Sequence, residues 1–298
     1  MREPPISTKG ETPMMGAAYA LGAFLIWGGF PVFFKLLDQV PALEVLGHRI
    51  VWSMVFMGLL LLFLGRWRAV GETLANRRLV LTLGLSALMI STNWLVFIWA
   101  VNEGRILETS LGYFISPLVS VVLGVVFLKE SMRPWQWIAV FLAVIGVVIL
   151  VAQAGQLPWV SLVLALSFAF YGLIRKVAKV DAFTGLFVET LIVAPLALVF
   201  LVYLVIDGSG SFTNLGLDGL LILSGVITAL PLILYVQGAK RLRLSTIGLI
   251  MYITPTSHFA LAVFVYGEPF TTAHLICFAF IWTGLAIYTF DASRALSD

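Results

Sequence analysis

Long apolar runs separated by short polar gaps make up most of the chain. A helix needs about 20 apolar residues to cross the ~30 Å hydrocarbon core of a bilayer. The runs predict ten such helices, at residues 14–37, 44–64, 79–101, 109–128, 134–152, 158–177, 182–206, 217–239, 245–266 and 270–291. Prolines at 41, 134, 158 and 269 stand at helix entrances, where proline is tolerated. The pattern therefore predicts an all-α membrane protein with ten transmembrane helices.

The composition excludes an ordinary soluble domain. Of the 298 residues, 61% are hydrophobic and 11% are charged, whereas soluble domains carry about 25% charged residues. The formal net charge is +3, but the basic residues lie in the short gaps and form no basic face that would bind nucleic acid. We therefore expect membrane lipids and a small-molecule substrate as partners, and no nucleic acid. Cys277 is the single cysteine, so an intramolecular disulfide is excluded.

The positions of lysine and arginine predict the orientation, because short cytoplasmic loops are enriched in both. With the N-terminus inside, fifteen of the 18 basic residues lie in inside segments. Lys35 and Arg105 lie outside, and Arg49 lies within a span. This split predicts a multi-pass protein whose tails, residues 1–13 and 292–298, are both cytoplasmic.

A stretch in the fourth span of the first half matches a stretch in the fourth span of the second half. Residues 116–130 and 254–268 align with a separation of 138 residues. The matched pairs include two prolines, two glutamates and two glycines: Pro117 with Pro255, Glu130 with Glu268, and Gly146 with Gly284. Because the pairs share one offset, the pattern indicates an internal repeat.

Each predicted repeat contains five spans, in residues 14–152 and 158–291. Since five is odd, the second repeat enters the membrane upside down relative to the first. Inverted repeats are typical of secondary transporters, with the binding site near the midplane between the repeats. Two halves related in this way can exchange inward-facing and outward-facing conformations, so the sequence predicts alternating access.

Several motifs spread over both halves resemble one transporter family. They include "IWGGFPVFFKLL" (26–37), "HRIVWS" (48–53), "LETSLGYFISPLVSVVLGVVFLKE" (107–130) and "RLRLSTIGLIMYITPT" (241–256). These stretches resemble the EamA branch of the drug/metabolite transporter superfamily. The resemblance implies ten helices in two EamA repeats, both termini in the cytoplasm, and a place in the inner membrane of a bacterium. It also implies export or uptake of small metabolites or drugs, such as amino-acid-like or aromatic molecules, including chloramphenicol.

Arg49 is the charged residue that the pattern explains least. It comes about five residues into the second predicted span, although a charged side chain at a helix centre costs roughly 2.5–3.5 kcal/mol on insertion scales. Its side chain can extend to the interface and anchor the helix. Alternatively, it faces the interior and binds an anionic group of the substrate through two parallel hydrogen bonds. A structural ion pair with Glu44, Glu108 or Glu189 is a third interpretation.

Two further titratable residues are candidates for proton coupling. Glu189 lies within the seventh span, and a looser alignment of the repeats places it on Arg49. Burial favours the neutral form of a carboxylate, so Glu189 is either the proton carrier or part of a packing ion pair. His48 titrates near neutral pH and is either part of a proton relay or a hydrogen-bonded interfacial residue.

Mid-span polar and aromatic residues predict a binding cavity. Ser86, Asn93 and Phe97 share one helical face of the third span. We expect six residues from both halves to approach a central cavity and bind the substrate together with Arg49: Trp27, Asn93, Tyr113, Tyr171, Tyr252 and His258. An interhelical hydrogen bond from Asn93 and interfacial positions for the aromatic residues are the alternatives.

Pro117 and Pro255 each remove a backbone hydrogen bond in the middle of a span. They form either a pair of hinges for gating or a pair of packing kinks. Because the two prolines occupy matching positions in the two repeats, we expect them to have the same role.

Other chemistries have little support in the sequence. The phosphate-binding pattern G-x4-GK[ST] is absent, so direct coupling to ATP is excluded. His48, His258 and His274 lack metal-ligand spacing, and we predict no metal, no cofactor and no catalytic residues. The leading interpretation is a secondary transporter of small organic molecules. The alternatives are a membrane enzyme acting on a lipid-linked substrate, with His48, Arg49 and Glu189, and a non-transporting sensor or scaffold.

Overall fold

The structure, a computed structural model, describes residues 13–129, 133–154, 157–212, 214–239 and 250–294, and these residues are mainly helical. The helices are α1 (Pro13–Gly28), α2 (Phe30–Lys35), α3 (Ala42–Phe63), α4 (Trp67–Ala75), α5 (Arg77–Asn102), α6 (Ile106–Leu128), α7 (Pro134–Ala154), α8 (Trp159–Val177), α9 (Ala182–Asp207), α10 (Leu215–Ala239), α11 (Ile253–Ala260) and α12 (Thr272–Arg294). A π-helical turn, Leu261–Val265, continues α11. Within these ranges there is no strand, which confirms the all-α prediction.

Six helical segments are long and apolar enough to cross a membrane by length and composition: Met14–Lys35, Ala42–Phe63, Arg77–Asn102, Ile106–Phe127, Ala182–Asp207 and Leu215–Tyr235. The other predicted spans contain shorter apolar helices: Trp137–Gln153, Trp159–Arg175, Ile253–Val265 and Thr272–Ile287. Residues 245–249 of the ninth predicted span lie outside the described residues, as do Glu130 and Arg243. A membrane-type helical chain is thus confirmed, and the count of ten crossings stays a prediction.

The structure differs from the predicted pattern at two places. The first predicted span is divided at Gly29, and α2 begins with Pro31 in its first turn, where a proline favours a new helix start. The second difference is α4, which lies in a stretch that the apolar pattern leaves as a polar gap. This helix buries Val70 and Thr73, while Trp67 contacts the ring of Phe187 with centroids 5.3 Å apart. An amphipathic helix of nine residues is too short to register as a span.

The contacts between helices repeat themselves in the two halves. The contact between α1 and α10 corresponds to the contact between α8 and α5. In the same way, α6–α8 corresponds to α11–α1, and α3–α10 corresponds to α9–α5. Three further pairs, α3–α9, α6–α11 and α7–α12, each join two helices at matching positions of the halves. Exchanging each span for the one five places further along therefore maps the first three contacts onto their counterparts and the last three onto themselves. This is the pattern expected from two halves related by a two-fold axis.

The α7–α12 contact shows the same relation at the atomic level. A Cβ placed on Gly146 would lie 2.9 Å from the backbone oxygen of Cys277, and one on Gly284 would lie 2.8 Å from that of Ala139. Both glycines and both of their partners are separated by 138 residues. Small residues let helix backbones approach closely in membranes, so the repeated glycines make one reciprocal contact.

Candidate functional site

A cavity of about 450 Å³ lies between the helices of the two halves. Its walls come from α1, α2, α3, α5, α6, α8, α9, α10 and α11, and they are predominantly apolar and aromatic. The main rings are Trp27, Phe97, Tyr113, Phe168, Tyr171 and Tyr235. A cavity of this size and lining is typical of sites that enclose a small organic molecule.

The structure brings most of the sequence-predicted site residues to this cavity. The residues on its walls are Trp27, Arg49, Asn93, Tyr113, Tyr171, Pro255 and His258. Four others lie elsewhere in the described structure: His48, Pro117, Glu189 and Tyr252. His48 stacks on Phe212 with ring centroids 5.1 Å apart, and Tyr252 stacks on Phe114 with centroids 6.3 Å apart.

Arg49 points inward rather than toward the interface. Arg49 is 2% exposed, and its Nε donates a hydrogen bond of 2.6 Å to Thr228 Oγ1 on α10. The guanidinium carbon lies 4.3 Å from the centroid of the Trp94 ring. Its Nη1 has no hydrogen-bond partner within the described part of the chain. The guanidinium therefore presents a buried, unused donor at the cavity wall.

The carboxylates that could neutralise Arg49 are engaged by other groups: Glu44 by Ser211, Glu108 by Arg105, and Glu189 by Ser86 and Arg175. Among the described residues, no carboxylate forms an ion pair with Arg49. A buried charge is costly unless it is paired. The missing partner at Arg49 is consequently the most informative electrostatic feature of the cavity.

Asn93 connects three helices at the cavity wall. Its Nδ2 donates to the Leu164 carbonyl oxygen at 3.0 Å and to Ser167 Oγ at 3.1 Å. Its Oδ1 accepts a hydrogen bond of 3.0 Å from the Tyr113 hydroxyl. The interhelical interpretation of Asn93 is therefore seen directly, and the same bonds fix the Tyr113 ring in the wall.

His258 is also held by protein groups. Its Nε2 lies 3.0 Å from the backbone oxygen of Trp27, and because a carbonyl only accepts, Nε2 carries the proton. Its Nδ1 lies 3.4 Å from Thr109 Oγ1, and its ring lies against Phe97 with centroids 5.4 Å apart. His258 joins α11 to α1 and α6 and belongs to the cavity lining.

Arg175 lines the cavity and was missed as a site residue from the sequence. It stands near the end of α8, where a cation is an ordinary sign of a cytoplasmic loop. In the structure its side chain is 15% exposed and its Nε lies 3.6 Å from Glu189 Oε1. No sequence signal separates this arginine from the other loop cations, because its role depends on how α8 packs against α9.

The two ends of the cavity differ. Val180, in the α8–α9 connection, and Ala182, the first residue of α9, belong to its lining. At the opposite end, the Glu268 carboxylate accepts hydrogen bonds of 2.6 and 2.7 Å from the backbone N–H groups of Ile106 and Leu107. These bonds tie the start of α6 to the connection before α12. We therefore expect access from the α8–α9 side, which the charge pattern predicts to be cytoplasmic.

Access from that side can be measured with single cysteines in a Cys277→Ser background. A Cβ at Gly172 meets no atom within 4 Å, so Gly172→Cys should fit and react with a membrane-impermeant maleimide added to the cytoplasmic face. Ala165→Cys, two turns earlier on α8 and 0% exposed, is the matched control and should stay unlabelled. Equal labelling of Gly172→Cys from the periplasmic face would contradict this direction of access.

The fold and the cavity define a class: helical membrane proteins with a cavity between two sets of matching helices. Comparison with known proteins gives the family. The EamA-like transporter family matches residues 14–152 and again residues 158–290. The chain belongs to this family.

Named relatives cover nearly the whole chain. Protein RarD of Salmonella typhi is 48% identical over 280 residues, which is 93% of this chain and 95% of that protein. An uncharacterized transporter of Bacillus subtilis is 44% identical over 93% of this chain and 94% of its own. The chloramphenicol-sensitive protein RarD of Pseudomonas aeruginosa is 34% identical over 94% of this chain and 95% of its own. One crystal structure shares the fold, with a TM-score of 0.61 and 19% identity over 94% of this chain and 98% of that chain.

Proposed function

We propose that the protein is a secondary active transporter that moves small organic molecules across the bacterial inner membrane by alternating access. The observation that carries this proposal is the aromatic cavity between the two halves, with the unpaired guanidinium of Arg49 in its wall. The membership of the chain in a transporter family supports transport as the activity. The substrate class comes from the chemistry of the wall.

The cavity favours a flat, partly apolar molecule with an anionic group. Trp27, Tyr113 and Tyr171 supply faces on which an aromatic or aliphatic body can stack. Arg49 supplies a planar fork suited to a carboxylate. Amino-acid-like and aromatic molecules combine these features, and chloramphenicol is worth testing because one relative is named for sensitivity to it.

Alternating access follows from the proposed architecture. Ten spans form two inverted repeats of five, residues 14–152 and 158–291, with the short tails 1–13 and 292–298 in the cytoplasm. The reciprocal helix contacts support a two-fold relation between the repeats. In this arrangement each half can adopt the conformation of the other, with Pro117 and Pro255 as the proposed hinges.

The driving force in this proposal is an ion gradient. The chain lacks the G-x4-GK[ST] pattern of ATP-driven proteins. Glu189, on α9, is 1% exposed, and an ionisable residue within a membrane is a functional candidate by default. A proton taken up by Glu189 is the proposed coupling ion, while His48, stacked against Phe212, is the weaker candidate.

Transport is tested with the purified protein in two steps. Aromatic acids, aromatic amino acids and chloramphenicol are first screened for an increase in melting temperature, because a ligand that binds only the folded state stabilises it. Any stabilising compound is then followed into liposomes. We expect saturable uptake that becomes faster with a pH gradient. Binding without any flux, with or without the gradient, would contradict a transporter and favour a sensor.

A further inference from the structure

Arg175 occupies a position between the cavity and a buried carboxylate. It belongs to the cavity lining, while its Nε faces Glu189 Oε1 at 3.6 Å. Its Nη2 lies 3.4 Å from the backbone oxygen of Asp181, and its Nη1 has no partner in the described ranges of the chain. Arg175 is thus incompletely satisfied, like Arg49: it belongs to the cavity lining, while its unpartnered Nη1 is buried against Gly185.

Gly185 on α9 provides the seat for this guanidinium. A Cβ on Gly185 would overlap the end of the Arg175 side chain. The side chain therefore lies directly on the α9 backbone, a position that only glycine permits. Its guanidinium is held near Glu189 both by this contact with the α9 backbone and by the ion pair of 3.6 Å.

Glu189 itself is out of reach of a molecule in the cavity. It does not belong to the described cavity lining, and its Oε1 accepts a hydrogen bond of 2.7 Å from Ser86 Oγ on α5. The charged and titratable groups that act on it are Arg175 and Tyr171, both on α8. The cation nearest the start of α9, Arg66, pairs with Asp181 instead, at 3.4 Å. Arg175 is therefore the one described cation in an ion pair with Glu189.

We propose that Arg175 is a second anion-binding residue of the cavity, shared between Glu189 and the carboxylate of the cargo. When Glu189 is ionised, it holds Arg175 from the side away from the cavity. When Glu189 takes up a proton, the guanidinium loses its internal counter-ion and becomes available to the cargo. The proposal rests on the proposed function, and it names an anionic cargo that binds together with one proton.

Charge accounting supports the coupling. With Glu189 ionised, Arg49, Arg175 and Glu189 together carry one net positive charge. Protonation of Glu189 raises this to two, and binding of one carboxylate restores the original value. Because a buried unpaired charge is costly, the proton and the anion each favour the binding of the other.

The test uses three probes that share an indole body: indole-3-acetate as the anion, 3-ethylindole as the neutral form and tryptamine as the cation. Their affinities for the purified full-length protein are measured by calorimetry in mildly acidic and mildly alkaline buffers, in which indole-3-acetate stays ionised. For the wild type we expect the anion to bind best. Its affinity should rise as the pH falls, by at most about tenfold per pH unit, since one proton is coupled.

Four variants separate the proposal from a structural role. Glu189→Gln mimics the protonated carboxyl and should bind indole-3-acetate tightly at every pH. Arg175→Gln and Gly185→Ala should lose the pH dependence and show a weaker preference for the anion, because Arg49 remains as the other anion-binding residue. Gly185→Ala changes no charge and meets only the flexible end of Arg175, so it decides the question if Arg175→Gln fails to fold. Glu108→Gln, in the Arg105 ion pair of 2.6 Å at the other end, is the matched control and should behave as the wild type.

The outcomes distinguish the two proposals. If the probes bind but Glu189→Gln keeps the pH dependence, or Gly185→Ala keeps the wild-type preference, the sharing of Arg175 is wrong and the transporter proposal stands. Wild-type protein that binds none of the three probes contradicts the aromatic cargo, and with it the role of Arg175. Loss of pH dependence in Glu189→Gln, together with a weakened anion preference and loss of pH dependence in Gly185→Ala, supports the proposal.

Discussion

Replacing Arg49 by alanine should abolish transport while the protein still folds. The substitution removes the unpaired donor from the cavity wall and leaves the cargo anion without its partner. Truncating one member of a buried charge pair costs about 2–5 kcal/mol, which is at least about 30-fold in binding. The measurement is uptake into liposomes per folded molecule, with the amount of folded protein taken from size-exclusion chromatography.

Arg49→Lys makes the same test more specific. Lysine keeps the charge but offers a point charge without the planar fork, and it has one nitrogen to satisfy both Thr228 and the cargo. We therefore expect transport by Arg49→Lys to be lost nearly as completely as by Arg49→Ala. Arg105→Lys is the matched control, because Arg105 pairs with Glu108 and lies outside the described cavity lining. Full activity in Arg49→Lys would contradict a role for the planar fork and would show that only the charge or the anchoring of Arg49 matters.

The helices were predictable from the sequence because the bilayer imposes a strong rule on it. Every span must bury its backbone hydrogen bonds within a helix and present apolar side chains for about 20 residues. Runs such as 44–64 and 182–206 therefore match α3 (Ala42–Phe63) and α9 (Ala182–Asp207) closely. The rule says nothing about short amphipathic segments, so α4 was missed. It is equally silent about the division of the first span at Gly29.

The cavity was predictable only in part. Trp27, Asn93 and His258 were expected there because they lie in mid-span on faces that match between the two repeats, and all three line the cavity. The partner of each charged residue was not predictable, because a partner depends on which helices pack together. Glu189 illustrates this: a loose alignment places it on Arg49, yet its partners are Ser86 and Arg175.

The second large effect is expected at Gly225, on the contact between α3 and α10. A Cβ on Gly225 would overlap the backbone and side chain of Trp52 and lie 2.6 Å from the backbone nitrogen of Ser53. Ser53 Oγ also donates a hydrogen bond of 3.1 Å to the Gly225 carbonyl oxygen. The backbones must separate to admit any side chain, so Gly225→Leu should reduce the yield of folded protein and lower its melting temperature. Overpacking of a core costs typically about 1–3 kcal/mol, occasionally more.

This contact also positions the binding residue. Thr228 follows Gly225 by three residues and Arg49 precedes Ser53 by four, so the 2.6 Å hydrogen bond between Arg49 and Thr228 lies on the same line of contact. Any Gly225→Leu protein that does fold should therefore fail to transport. Gly219→Leu on the same helix is the control, because a Cβ there meets no atom within 4 Å. Equal melting temperatures and equal transport in both variants would contradict a close α3–α10 contact, whereas loss in Gly225→Leu alone would show that glycine sets the distance at which Arg49 is held.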